Sequence, residues 1–565
     1  MSVEIIETSQ QSIGQNVLLY PMLRQLKVAE TINATINSEA QLPLGTVAEI
    51  LILSRFAQKR VPMYHIDTFC QQNGLDLLYG IDAEKLNDDR VGRCLDAMQP
   101  KLSEMKTALI LRAIRKFNLT TSQIHTDITN ILFSGSYQEI VEGQCGVAHC
   151  SESRWDRDDA GASSRLNVTW GHTKKGQDPR CKQVNFSLSV TTDGGVPLWY
   201  EALNGNTGDS VCYTPHLDAF QQELGITKPL VVGDSKLISH NNMIAFCRAG
   251  AQFIGPATLD TTEKKRLKRL WENGMAFSAL SYQSDEKQPI PYWGIETDST
   301  ITDKQTKARY SIRQLYIFSR QRRDVIRHTR AKNFQKAKTA LHKIVRCLNK
   351  YDYKTRRVIF SRIQNQVLAK CCYYRIKVDK ATDGRFEITY WIDWDKLVED
   401  EMFDGIYLLR TNTLKEEFDE NAILQSYKAQ SHVESSFQTI KQPPIEVSPV
   451  WLHNPARIES LLFLVFLACL VMALLQREGR KKVWTKSIAL RPEGRDHLPL
   501  TAAVLLAAFD TVAIVTVTVR VGKQFLTDHK CTRLSTSQRA VLWALGFAHP
   551  SDYLKNACYT NCTQL

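Results

Sequence analysis

The chain has 565 residues, 43% hydrophobic and 23% charged, with 72 Lys and Arg against 59 Asp and Glu, a formal net charge of +13. That length exceeds the roughly 250 residues one core organises, so several packed units are expected. Its fourteen cysteines include no C-x-x-C with a matching second pair, which excludes a paired-cysteine zinc site and a disulfide scaffold and leaves reduced thiols.

The first residues, MSVEIIETSQQSIGQN, carry neither the basic start nor the apolar stretch of a secretory signal, and a cytoplasmic protein is expected. Residues 1–120 read as a helical domain, because YPMLRQLKVAETINATI and LPLGTVAEILILSRFAQ repeat apolar residues three and four apart. From Ile124 the pattern turns to strands: IHTDITNILF, then VNFSLSVTTDGGVPLWYEAL folded about an Asp-Gly-Gly turn. KPLVVGDSKLI follows as an apolar strand ending at Gly233 and Asp234, and NNMIAFCRAG as a helix. Residues 121–256 form the first part of a core.

Residues 257–403 interrupt that alternation and read as an inserted α+β domain with a hairpin, YYRIKVD to RFEITYWID. Between Arg320 and Arg357 the insertion holds fourteen Lys and Arg against only Asp324 and Asp352. A block of that kind points to a polyanion, since neutralising phosphates releases counterions, or else to a solvated helix face. Residues 404–445 resume the core with the strand DGIYLLRTN and one long helix from about Asp419 to Lys441, ending before Pro443 and Pro444. The last stretch, 446–565, reads as helical. Its apolar run Leu461–Leu475 is too short for a membrane span and is expected to be a buried core helix, with no membrane partner.

Strand, hairpin, strand, helix, strand, helix is the order of a ribonuclease H-like mixed sheet, which gathers distant acids at one edge. The expected fold is therefore multidomain α/β: such a core, interrupted by an insertion and flanked by helical terminal domains. The gathered acids are Asp127 in the first strand, Asp234 after the fourth and Glu434 in the last helix. Asp193 is set aside because it sits in a Thr-Asp-Gly-Gly turn, where Asp serves backbone geometry. Three carboxylates suit two Mg²⁺ ions, with Mn²⁺ able to substitute, and hence phosphodiester chemistry. On one continuous helix Tyr427, Gln430, Glu434 and Lys441 fall within about 60° of arc, although Lys441 also reads as a C-terminal dipole partner. Trp271, Trp293, Trp391 and Trp394 read as core or as stacking platforms for a displaced base.

The helix YKAQSHVESSFQTIK resembles the tyrosine, arginine, glutamate, lysine signature of DDE transposases of the IS four superfamily, with two, three and six residues between successive members. HTDITNILFSGSY, LNGNTGDS, VVGDSKLIS and DGIYLLRTN are similar to that family's other core motifs, in order. LPLGTVAEILILSRF, PMYHIDTF and GIDAEKLNDDRVGRCLDAM are similar to the helical N-terminal domain of one branch, implying end binding or dimerisation. One position departs: the family's arginine is Gln430 here.

The resemblance implies a transposase that binds the inverted repeats of its element, cuts through a hairpin intermediate, pastes into duplex DNA and pairs two ends as a homodimer at the bacterial nucleoid. Asp127, Asp234 and Glu434 are the expected metal ligands. Tyr427, Gln430, Lys441, Arg322, Arg323, Arg327 and Arg330 are the expected DNA contacts. A structure-specific nuclease of the same fold and an inactive DNA-binding descendant remain the alternatives.

Overall fold

The computed structural model describes residues 3–57, 59, 61–133, 166–173, 178–282, 291–441, 445, 452–490, 498–521 and 524–554. The chain divides into two units, one made of Met1–Gln252 with Lys428–Leu565 and the other of Phe253–Tyr427.

In the first unit the N-terminal stretch forms helices, the longer ones being Asn16–Leu26, Leu44–Ser54, Asp88–Met98 and Leu102–Phe117. Their limits follow local chemistry. Asn87 accepts the Arg90 N–H at 2.9 Å to start Asp88–Met98, and Asn118 takes a left-handed φ of 47° to end Leu102–Phe117. Leu44–Ser54 is buried along nearly its whole length, as an all-round apolar sequence requires.

Four strands follow in the order Pro197–Asn204, Lys182–Thr191, Gln123–Phe133 and Leu230–Val232. The first three are antiparallel neighbours, and Leu230–Val232 runs parallel to Gln123–Phe133, so the sheet is mixed. The helix Pro455–Lys482 packs on the outer strand, with the rings of Tyr200 and Phe466 4.8 Å apart. Its run Leu461–Leu475 is buried except at Met472 and Ala473. Although the helix is long and apolar enough to cross a membrane, 83% of its most apolar window is buried inside the protein.

The terminal regions are not purely helical. Val3–Ser12 pairs antiparallel with Ala513–Val521, which pairs with Gln524–Cys531, so the two ends share a three-stranded sheet. AIVTVTVRV alternates β-branched residues with period two, which favours a strand over a helix. The ten cysteines among the described residues are free thiols.

The second unit holds an antiparallel sheet in the order Gln252–Ala257, Ile406–Thr411, Arg309–Ser319, Tyr292–Thr302 and Ser278–Leu280. Here Ile406–Thr411, expected to resume the core, pairs on one side with Gln252–Ala257 and on the other with Arg309–Ser319 of the insertion. The chain returns to the first unit only at Lys428. The basic helix Arg320–Cys347 buries Ala337, Leu341 and Ile344 in a cluster with Ile359, Val367, Tyr374 and Val378. The expected hairpin pairs Tyr374–Lys380 with Phe386–Ile392, and Gly384 supplies a φ of 83° in its turn.

Candidate active site

Asp127 lies half-buried in the strand Gln123–Phe133, where successive side chains alternate between faces, so His125 and Asp127 share one face and Thr126 points to the other. Against the parallel neighbour, Ile124 pairs with Val231 and His125 with Val232. Asp127 lies two residues beyond the last of these pairs on its strand, and Asp234 two residues beyond it on the neighbouring chain. Two carboxylates distant in sequence are thus brought to one sheet edge.

Asp234 is held by Tyr213. The phenol donates to Asp234 Oδ1 at 2.7 Å and accepts the Asp234 N–H at 3.1 Å, while the Lys236 N–H donates to the same Oδ1 at 2.9 Å. Gly233 makes room for the ring, since a Cβ there would meet Tyr213 Cε1 at 2.7 Å and its hydroxyl at 2.8 Å. Burial pushes the Tyr213 phenol well above its ordinary range, and the negative charges of Asp234 and, more weakly, Asp127 push it the same way. Cys212 responds alike: burial raises its thiol first, then Asp234, then Asp127. Both side chains sense both aspartates, as the register requires.

Glu434 lies on the helix Ser431–Lys441, which packs on the strands Gln123–Phe133 and Lys182–Thr191 through Val433, Phe437 and Ile440. Its start is pinned by Gln430, whose Oε1 lies 3.1 Å from His125 Nδ1 and whose Nε2 donates to the Thr126 carbonyl at 3.2 Å. His125 is fully buried, and its other nitrogen sits 3.1 Å from Thr192 Oγ1. The helix therefore begins over the face that carries Asp127, and Glu434 stands one turn further on, with its side chain exposed.

The sequence expectation of one helix from Asp419 to Lys441 is corrected here. Glu420–Lys428 ends, Ala429 and Gln430 form a turn, and Ser431–Lys441 starts afresh. The single strip of Tyr427, Gln430, Glu434 and Lys441 does not exist as a continuous helical face. Tyr427 is half-buried, its ring 6.1 Å from that of Tyr407. Gln430 is half-buried, and both ends of its amide contact the Asp127 strand, which ties the start of this helix to that strand. Lys441 closes its helix, and its side chain lies outside the described residues.

The four arginines also separate. Arg330, only 13% exposed, pairs with Asp404 and Glu401, and Arg327 meets Asp404 at 3.4 Å. Arg323 pairs with Asp324 at 3.3 Å, and Arg322, exposed, lies over the Tyr407 ring. Arg327 and Arg330 are thus engaged in intramolecular ion pairs, Arg330 largely buried and Arg327 half exposed. The set-aside residue Asp193 bonds through Oδ2 and its carbonyl to the buried Arg477, a structural role.

On the other face of the Asp127 strand lies a polar layer that the sequence did not announce. Thr126 Oγ1 meets Ser189 Oγ at 2.6 Å, and His216 is clamped between Ser189 at 2.6 Å and Ser187 at 2.7 Å. Burial, helped by the charge of Lys106, lowers the His216 pKa to about 3, so the ring is neutral. Tyr213, His125 and Thr192 were likewise unmarked in the sequence. Only the Gly-Asp pair at the end of an apolar run hinted at a close approach at Gly233.

The donor set is hard oxygen, fit for Mg²⁺ or Mn²⁺, and Asp127 with Asp234 stands where one ion could be shared. Among the described residues no three His, Cys, Asp or Glu come close enough to hold a metal together, so Glu434 does not complete the set in this structure.

The first unit is thus an α/β unit with a mixed sheet, Asp127 on one strand and Asp234 just beyond its parallel neighbour. The transposase DDE domain model matches residues 155–471, more than half of the chain, and the protein belongs to that family of DNA transposases, metal-dependent enzymes that cut and transfer DNA. The match includes Asp234 and Glu434 and begins after the Asp127 strand. A domain of unknown function (DUF4277) matches residues 8–110. No curated protein matches the sequence. Among solved structures the chain is similar to a piggyBac transposase synaptic complex with hairpin DNA, at 7% identity over 83% of this chain and 77% of that one, with a TM-score of 0.32. It is also similar to a Mos1 transposase paired-end complex with the left transposon end, at 12% identity over 35% and 59%, with a TM-score of 0.14.

Proposed function

We propose that this chain is the transposase of an insertion sequence of the IS four superfamily, with a ribonuclease H-like core. It binds the terminal inverted repeats of its element, exposes a 3′ hydroxyl at each end and joins that hydroxyl to target DNA in a cut-and-paste reaction carried out by a dimer. The observation that supports this reading is that Asp127 and Asp234 each follow the parallel pairing of Gln123–His125 with Leu230–Val232 by two residues, in a unit whose helix Ser431–Lys441 carries an exposed Glu434. The strand order of the first unit supports the same reading.

In this reading Asp127, Asp234 and Glu434 would hold divalent Mg²⁺, which would acidify the nucleophile and stabilise charge on the leaving oxygen. Water oxygen forms the new bond to phosphorus, the 3′ oxygen departs and takes up a proton, and in the second step that hydroxyl displaces a target 3′ oxygen likewise. The chain's own part is positional. Tyr213 fixes the Asp234 carboxylate, and Gln430 with His125 fixes the start of the Glu434 helix.

The test uses DNA flanking the gene as end substrate. Asp127→Asn, Asp234→Asn and Glu434→Gln should each abolish Mg²⁺- or Mn²⁺-dependent end cleavage while retaining end binding in a mobility-shift assay. Parental cleavage by the Asp234→Asn protein would overturn the ligand assignment.

A further inference from the structure

The helix Arg320–Cys347 carries ten Lys and Arg and one acid, Asp324. Its arginines near the start are drawn inward to Asp404, Glu401 and Asp324 or lie over aromatic rings, Arg320 on Trp293 and Arg322 on Tyr407. The later cations differ. Lys332, Lys336, Lys343 and Arg346 are exposed and form no ion pair among the described residues.

At 100° per residue these four fall within about 80° of arc, roughly opposite the face that buries Ala337, Leu341 and Ile344. They span about 21 Å of helix at 1.5 Å per residue. A straight row of like charges with no local acid partner is costly unless an anion of matching charge density covers it. Duplex DNA offers one negative charge per roughly 1.7 Å of its axis. An anionic bilayer fits poorly, because interfacial helices insert an apolar face and here that face is already buried in its own unit.

We infer that Lys332, Lys336, Lys343 and Arg346 form a phosphate-binding stripe for double-stranded DNA, independent of sequence. This rests on the transposase reading and assigns to its insertion a surface on which the duplex lies, built from cations other than Arg322, Arg323, Arg327 and Arg330.

The experiment titrates the full-length protein against a fluorescently labelled duplex of arbitrary sequence over a range of NaCl. Each lost phosphate contact lowers the log–log slope by about 0.9, so the variant K332Q/K336Q/K343Q/R346Q should lose about three to four. Gln is chosen because its helix propensity is close to that of Lys and Arg. A K304Q/K380Q protein, altered at exposed lysines elsewhere in the same unit, should keep the parental slope. A loss above about one that this control lacks supports the stripe, and a smaller loss overturns it. So does a variant that loses binding to phosphatidylserine vesicles but not to the duplex. If the fourfold variant does not fold, the K332Q/K336Q and K343Q/R346Q proteins are read by the same criterion. Absence of end cleavage by the parent would count against the transposase reading alone, since the slope is measured without cleavage.

Discussion

Asp234 was legible because a lone carboxylate after an apolar run has little structural excuse, whereas Tyr213 was not, since nothing in CYTPH marks the phenol as a partner twenty-one residues downstream. That partner fixes the orientation of the carboxylate, because one whose Oδ1 already takes two donors can present only its remaining lone pairs outward. Removing the hydroxyl in Tyr213→Phe frees the carboxylate to turn and strips the Asp234 N–H of its acceptor. Outer-shell partners of this kind are worth about ten- to hundredfold in metal affinity. The half-saturating Mn²⁺ concentration for end cleavage should therefore rise by about that factor, with cleavage at saturating Mn²⁺ and duplex affinity close to parental. Mn²⁺ binding followed by electron paramagnetic resonance gives a readout free of DNA. An unchanged metal requirement would show that Tyr213 only fills space.

Element identity was easier to read than element continuity. The strands Gln123–Phe133, Lys182–Thr191 and Pro197–Asn204 announce themselves by β-branched runs and an Asp-Gly-Gly turn, but periodicity cannot report that a helix stops at Lys428 and restarts at Ser431. The break is made by tertiary bonds from Gln430 to His125 and Thr126, more than three hundred residues upstream, which no local pattern encodes. The same bonds change the meaning of the departure from the family signature. Arginine at 430 has no acceptor for His125 Nδ1 and would place a guanidinium in a half-buried pocket, so Gln430→Arg should slow cleavage rather than speed it. Gln430→Ala should lower stability by about 1–2 kcal/mol, the scale of a lost buried hydrogen-bond pair, and reduce end cleavage more than end binding. Denaturant midpoints and single-turnover cleavage of both variants check this. A faster Gln430→Arg protein would restore the phosphate role.

At the scale of the whole molecule, the shared sheet between Val3–Ser12 and the C-terminal hairpin was missed: both ends read as helical although AIVTVTVRV alternates with period two, and its pairing with the other end of the chain is a long-range choice. The ionisable groups sealed into this first unit set its response to pH, and two of them pull in opposite directions. Glu49 is fully buried, accepts the Ala29 N–H at 2.9 Å and the Tyr79 hydroxyl at 2.8 Å, and burial raises its pKa from 4.5 to about 7. A carboxyl raised on folding stabilises the fold below 4.5 and loses that contribution as pH climbs to about 7. His216, lowered to about 3, does the reverse: the fold is best served above 6.5 and loses stability as pH falls from 6.5 toward 3. Between 4.5 and 6.5 these two contributions oppose each other, His216 dominating on the acid side and Glu49 on the neutral side. Glu49→Gln keeps the acceptor for Ala29 and removes one slope. Its stability relative to the parent should therefore improve with pH by up to about 3 kcal/mol between pH 4.5 and 8, at 1.36 kcal/mol per pKa unit. Chemical denaturation of both proteins across that range decides the matter. Parallel profiles would mean that Glu49 carries its charge in the folded chain, with solvent or a countercharge reaching it.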